Sequence, residues 1–238
     1  MADGFKILAY EDTPLGPLCL RRRLTLSEPQ VWVTEVTLNH EFLMSSLHTD
    51  SERTLATFPL ERLSRGNLRV LVGGLGLGFT AAAALESARV AEVEVVEFLP
   101  QVIGWLRQGL GPLAEMLSQD ARLRITEGDV YERLLAAPNA GRFDAILIDV
   151  DHSPTDTLAG GPSEFYTAAG LRQAATHLVG EGMLAMWSYE ADRSLMEAMR
   201  EVFTDVLVHP VRYHNRHVNE SFVDWLYVGR VGELPGSG

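Results

Sequence analysis

Cysteine is nearly absent from this 238-residue chain: Cys19 stands alone. That excludes an internal disulfide framework and a zinc site built from several thiolates. Long apolar runs are missing as well. No stretch approaches the roughly 20 residues that cross a bilayer, and the start Met1-Ala-Asp-Gly-Phe-Lys6 lacks the basic opening and apolar centre of a secretory signal. A cytoplasmic protein without a membrane partner is expected. Cations are scarce, 20 Lys and Arg against 32 Asp and Glu, and the net charge of −12 sets the overall field against phosphate backbones. The basic run Arg21-Arg22-Arg23 reads as a solvated strand end or an internal ion-pair partner, so no nucleic-acid partner is expected. No internal repeat or low-complexity segment is visible. A hydrophobic share of 46% suffices for one α/β core with a small appendage.

What is present is concentrated in one stretch. In Val70-Leu-Val-Gly-Gly-Leu-Gly-Leu-Gly-Phe-Thr80 an apolar β run enters glycines at 74, 76 and 78 and then an alanine-rich helix. Glycine there lets the backbone turn sharply and approach a ligand, and the helix start offers unpaired N–H groups. The spacing G-x-G-x-G departs from the dinucleotide fingerprint G-x-G-x-x-G, so the loop points to a nucleotide-type cofactor without naming it. Three further runs end in a similar way: 93–97 in Glu97, 123–129 in Gly128-Asp129, and 143–149 in Asp149. Successive strands with such ends set a ligand crevice at the carboxyl edge of one parallel sheet. Glu97 falls where these folds hold ribose hydroxyls, although a solvated strand end would explain it too. Asp129 reads as a cofactor contact or as the N-cap of a helix over 130–135.

The organisation divides near residue 50. Short strands are predicted over 6–10, 18–23, 31–38 and 41–44, separated by Pro- and Gly-containing turns, giving an N-terminal β domain over 1–50. From Ser51 comes a helix, or two short helical pieces interrupted at Pro59. Strands and helices then alternate to the end of a second domain, 51–238, closed by strands over 206–211 and 224–230. The predicted class is α/β, a mainly parallel sheet with helices on both faces and an antiparallel pair at its edge.

Taken together, the loop over 73–80, Val96-Glu-Phe-Leu-Pro-Gln-Val-Ile103, Gly128-Asp129 and Leu147-Ile-Asp-Val-Asp-His-Ser-Pro154 resemble the class I S-adenosylmethionine-dependent methyltransferase fold, within it the spermidine synthase-like branch. The resemblance spans roughly residues 55–230. It implies a Rossmann-like, seven-stranded sheet that binds S-adenosylmethionine or its decarboxylated form. Gly74, Gly76 and Gly78 would face the amino acid and ribose, Glu97 the ribose hydroxyls and Asp129 the adenine amino group. Asp149 would orient or activate the incoming nucleophile. The branch's small N-terminal domain contributes to dimerisation, so a homodimer is expected. Asp151 and His152 follow in the same loop, His152 as a general base or a polar loop residue. Tyr166, Trp187 and Tyr189 are candidates for the pocket of a small-molecule acceptor, or core aromatics.

Departures from the branch shape the functional expectation. Leu77 stands where the family keeps the acid that holds the donor's ammonium, His152 where it keeps a second Asp, and Ser51 and Arg53 near its acceptor-binding Tyr and Glu. Neutral or positive groups there would bind a diamine poorly. The expected activity is therefore methyl transfer from S-adenosylmethionine to a small molecule. Aminopropyl transfer from the decarboxylated donor is the alternative, and a cofactor-binding interaction protein without turnover is a second. A metal-assisted O-methyltransferase is suggested by Asp149-x-Asp151-His152. It lacks the Asp-Asn pair of that family, for which Ala174-Ala175 stand, and no metal is expected.

Overall fold

Where apolar residues alternate singly the chain forms antiparallel strands, and these come first. The computed structural model describes residues 4–26, 28–139, 141–150, 153–156, 163–215 and 219–233. Strands β1 (Phe5–Thr13), β2 (Gly16–Leu24), β3 (Trp32–Leu38) and β4 (Glu41–Ser45) pair in sequential order. Alternation divides their side chains between two faces. Leu18, Leu20, Val36 and Leu38 enter the common core, while Arg21 and Arg23 share the opposite face with Glu35. That carboxylate is almost fully buried and accepts from Arg21 Nε at 3.0 Å and Arg23 Nε at 2.5 Å. Two members of the basic run are thus internal ion-pair partners.

Helix α1 (Asp50–Arg62) runs unbroken through Pro59, the first of the two expected forms. Proline removes one backbone donor, but Pro59 lies near the helix end and is buried beside Leu55, Ala56 and Leu60, so packing offsets the lost bond. Alternation then begins: β5 (Leu68–Gly73), α2 (Phe79–Leu85), β6 (Val90–Glu97), α3 (Pro100–Arg107), α4 (Ala114–Gln119), β7 (Leu123–Glu127), α5 (Val130–Leu135) and β8 (Phe143–Ile148). A 3-10 turn over Ser163–Tyr166 precedes α6 (Ala168–Ala175), β9 (Leu178–Ser188), α7 (Arg193–Arg200), β10 (Asp205–Asn215) and β11 (Glu220–Arg230). These strands form one seven-stranded sheet in the order β10-β11-β9-β8-β5-β6-β7, parallel from β9 to β7 and antiparallel at β10 and β11.

The sheet is covered on both faces. Val70, Val72, Val95 and Leu147 pack with Leu55 of α1, Ala81 to Ala84 of α2 and Ile103 of α3. Leu71, Ile146, Ile148 and Leu184 pack with Leu134 of α5, Leu171 of α6 and Met199 of α7. The N-terminal sheet shares the first of these cores, and Trp105 Nε1 of α3 donates to Glu11 Oε1 of β1 at 2.8 Å. Chain order positions the crevice. From β5 the chain steps outward to β6 and β7, then returns to the other side of β5 as β8, and the reversal leaves a gap at the carboxyl ends of β5 and β8. The last hairpin also extends beyond the predicted strand limits, with Tyr213 paired to Phe222 at its far end. Among the described residues no helix is long and apolar enough to cross a membrane.

Candidate active site

The loop after β5 is held in a shape only glycine adopts easily. Gly74, Gly76 and Gly78 have φ of 90°, 51° and 91°. At Gly74 the constraint is also steric: a Cβ would lie 2.3 Å from the carbonyl oxygen of Asp149, so the loop could not rest against the end of β8. The Gly74 N–H donates to Val96 O at 2.9 Å, and the Asp149 N–H to Gly73 O at 2.9 Å. Three strand ends are thereby locked together.

Glu97 closes β6 with its carboxylate turned under the loop. Oε2 accepts from the Leu75 N–H and Oε1 from the Leu99 N–H, each at 2.8 Å. It is buried, and burial raises its pKa against the pull of the surrounding amides, Leu99 and Leu75 foremost. The solvated strand end is excluded. Asp129 caps α5, its Oδ1 accepting from Tyr131 N at 2.7 Å and Glu132 N at 3.3 Å, and it also lines the cavity described next.

A cavity of about 980 Å³ lies over these strand ends. At its floor Asp149 Oδ2 accepts from Thr80 Oγ1 at 2.6 Å. Burial pushes the Asp149 carboxyl up to about 6 despite that bond, and the Asp224 charge adds to the rise. The far wall comes from the first turn of α1 and the β10–β11 hairpin, with His48, Asp50, Ser51, Glu52, Tyr213 and Asp224 all facing the space. Burial and then the Asp149 charge push Glu52 up to about 8; its own backbone amide opposes this, while Asp224 and Asp50 add to it. The Tyr213 hydroxyl is pushed up to about 12 by burial and by the Asp224, Glu52 and Asp50 charges, and so stays a donor. Ser51 Oγ donates to Asp224 Oδ2 across the gap between helix and hairpin.

The balance of charge is one-sided. Seven carboxylates line the cavity, and Glu35 alone among them is held by arginines. Among the described residues Asp50, Glu52, Glu97, Asp129, Asp149 and Asp224 make no ion pair with Lys or Arg. Two buried ring nitrogens, His48 Nε2 and Trp187 Nε1, also lack a hydrogen-bond partner among the described residues. A buried polar atom without a partner costs about 1–3 kcal/mol. Among the described residues no group of three or more His, Cys, Asp or Glu is arranged to hold a metal ion.

The aromatic candidates divide. Trp187 and Tyr189 line the cavity, Tyr189 half-exposed at its mouth. Tyr166 is not among the lining residues; its hydroxyl meets that of Tyr131 at 2.7 Å, and its ring packs on Phe165 behind the cavity wall. Tyr131 lines the cavity at this place, and Tyr166 packs against it. Asp151 and His152 lie outside the described residues. Sequence reading missed Asp50, Glu52, Tyr213 and Asp224. The helical turn explains the first two: Ser51 faces Asp224 and Glu52 faces the cavity, whereas Arg53 turns outward to Glu86 at 3.1 Å. Asp224 did carry a signal, an acid in the strand row it shares with the buried Leu226 and Val228.

The sequence matches no protein-family model. Over 101 residues it is 36% identical to "Polyamine aminopropyltransferase 2" of Streptomyces coelicolor, a match that covers 41% of this chain but only 18% of that protein. A spermidine synthase solved with the transition-state analogue AdoDATO superposes with a TM-score of 0.74 at 17% identity, over 97% of this chain and 75% of that one. The fold is that of the spermidine synthases. Spermidine synthase from Thermotoga maritima gives a TM-score of 0.73 at 15% identity, over 98% of this chain and 75% of that one. The spermidine synthase-like branch of the class I fold and the seven-stranded sheet thus stand as expected.

Methyl transfer does not stand. The proteins this chain resembles are one polyamine aminopropyltransferase and two spermidine synthases, none of them a methyltransferase, and this overturns the expected methyl transfer. Of its physical grounds, the one drawn from Ser51 and Arg53 also fails, while Leu77 does line the cavity as a neutral group and His152 lies outside the described residues. Arg53 faces away from the cavity, and Asp50, Glu52 and Asp224 supply the negative wall that Ser51 and Arg53 had seemed to deny.

Proposed function

We propose that the chain is an aminopropyltransferase that moves the aminopropyl group of decarboxylated S-adenosylmethionine onto an amine of a polyamine-type acceptor. One observation carries this reading: six cavity carboxylates without an arginine or lysine partner among the described residues, beside a glycine loop suited to a nucleoside. Such a site repels anions and favours a polycation, whose ammonium groups would replace the missing partners. In this reading residues 51–238 form the catalytic domain, and residues 1–50 a small domain walling the crevice.

The chemistry asks for little covalent participation. The acceptor nitrogen attacks the methylene carbon on sulfur, the C–S bond breaks, its electron pair stays on the sulfur of methylthioadenosine, and the amine loses a proton. Gly74, Gly76, Gly78, Glu97 and Asp129 hold the nucleoside part. Asp149 orients the attacking amine from the cavity floor. Glu52 takes the proton, since a carboxyl raised to about 8 is a better base than an ordinary one. Trp187 and Tyr189 give the methylene chain an apolar wall.

The test is incubation of the protein with decarboxylated S-adenosylmethionine and a panel of mono-, di- and triamines, following release of methylthioadenosine. Amine-dependent release is expected. Binding of the donor without release against every amine would overturn the reading.

A further inference from the structure

Asp224 is an acid in an apolar row. It shares a strand face with Leu226 and Val228, both essentially without solvent contact, and is itself 8% exposed. Nothing in the packing calls for a charge there. The Ser51 hydroxyl that bonds it would be satisfied as well by a neutral acceptor. The carboxylate nevertheless lies at the same end of the cavity as Asp50 and Glu52, and its charge acts on Asp149, Glu52 and Tyr213. No Lys or Arg pairs with it among the described residues. Burying an unpaired carboxylate is costly unless a cation arrives to pair with it.

We propose that Asp224 is a specificity-determining residue that receives the acceptor's second ammonium, the one that is not alkylated, and so selects diamines and longer amines over monoamines. The inference rests on the aminopropyltransferase reading. Division of labour follows from place. Asp149, on the floor beside the glycine loop, serves the reacting nitrogen, whereas Asp224, on the hairpin wall and braced by Ser51, serves the distal one. The brace keeps the carboxylate in one orientation, and Tyr213 and Trp187 flank the methylene chain between the two charges.

The deciding experiment compares the wild type with Asp224→Asn and Ser51→Ala, using 1,4-diaminobutane and n-butylamine at saturating donor. Asparagine keeps an acceptor for Ser51 and removes only the charge. For Asp224→Asn, kcat/KM with the diamine should fall by about 30-fold or more, mainly through KM, while n-butylamine stays within about threefold because it has no second charge to lose. Ser51→Ala, which keeps the charge, should retain the preference for diamine. Equal loss with both amines, or a Ser51→Ala variant that reproduces the whole effect, would show a purely structural role and overturn the proposal. Calorimetry of 1,4-diaminobutane on the methylthioadenosine complex separates this from the activity itself. Diamine binding that Asp224→Asn abolishes, with no turnover of any amine, would refute aminopropyl transfer and leave the role of Asp224 standing. Equal binding by wild type and variant, or no diamine binding by the wild type, would overturn that role.

Discussion

Gly74 and Asp149 meet backbone to backbone, so closely that a Cβ on residue 74 would stand 2.3 Å from the Asp149 carbonyl oxygen. The glycine loop and the end of β8 therefore form one rigid unit. Gly74→Ala should separate them, adding about 1–3 kcal/mol of backbone strain from its φ of 90° before any clash is counted. Thermal unfolding should show a clear drop, and methylthioadenosine binding should be lost in calorimetry. Gly128→Ala is the control, because its Cβ would meet Val96 Cγ1 at an ordinary 3.7 Å. Similar behaviour of the two variants would contradict the steric account.

Glu97 braces the loop from below, so its removal should be felt twice. Glu97→Ala leaves the Leu75 and Leu99 N–H groups without their acceptor, costing about 1–3 kcal/mol of stability. Methylthioadenosine affinity should fall by about tenfold or more on the same scale. Unchanged affinity in a folded variant would remove Glu97 from the nucleoside site.

Asp149→Asn preserves shape and the bond from Thr80 while abolishing the charge. Turnover should fall by about 10²-fold or more, with methylthioadenosine affinity nearly intact. Full activity would take Asp149 out of the mechanism.

The carboxylate wall predicts a pH dependence with a definite sign. Glu52 rises from 4.5 to about 8 and Asp149 from 3.8 to about 6, so the folded chain holds more protons than the unfolded chain between these limits. Their contribution to stability is fully present below about pH 4. It is lost as pH climbs through about 6 and then about 8. Ionisation of Glu52 is opposed by Asp149, Asp224 and Asp50, so Glu52→Gln should flatten the upper part of the curve. Melting temperatures of wild type and variant between pH 5 and 9 test this, at about 2–4 °C per kcal/mol for a chain of this size. A wild-type protein that loses no more stability than Glu52→Gln above pH 7 would refute the assignment. Saturating diamine should restore much of the loss, since its ammonium groups supply the missing counter-charge.

The glycine-loop half of the site was legible in the sequence because its signals are local. Each strand there ends within a residue or two of the group that faces the cavity, as with Glu97 at the last position of β6 and Asp149 just after β8. The opposite wall was not legible in that way. Ser51 and Asp224 meet across 173 positions, and whether residue 51, 52 or 53 of a helix looks inward depends on a rotation of about 100° per residue that no short motif fixes. A one-residue difference in that rotation separates the inward Glu52 from the outward Arg53, and it was one of the grounds, with Leu77 and His152, for expecting methyl transfer. The hairpin was likewise underestimated, and with it Tyr213 and Phe222, because strand ends that project over a cavity lack the burial that marks a strand interior.

The switch-point crevice has two banks with separate origins in the chain. One is written between residues 68 and 149 in nearly uninterrupted order, and the other by residues 48 to 52 together with Tyr213, Asn215, Phe222 and Asp224, which lie outside that interval on either side. Changes on the second bank reach Asp149 through charge but leave the hydrogen bonds of the glycine loop, all made within the first, in place. Such a scaffold can exchange what it recognises at one bank while keeping its grip at the other, and under the proposed function a library confined to α1's first turn and the last hairpin should vary the recognised amine without retuning the nucleoside half.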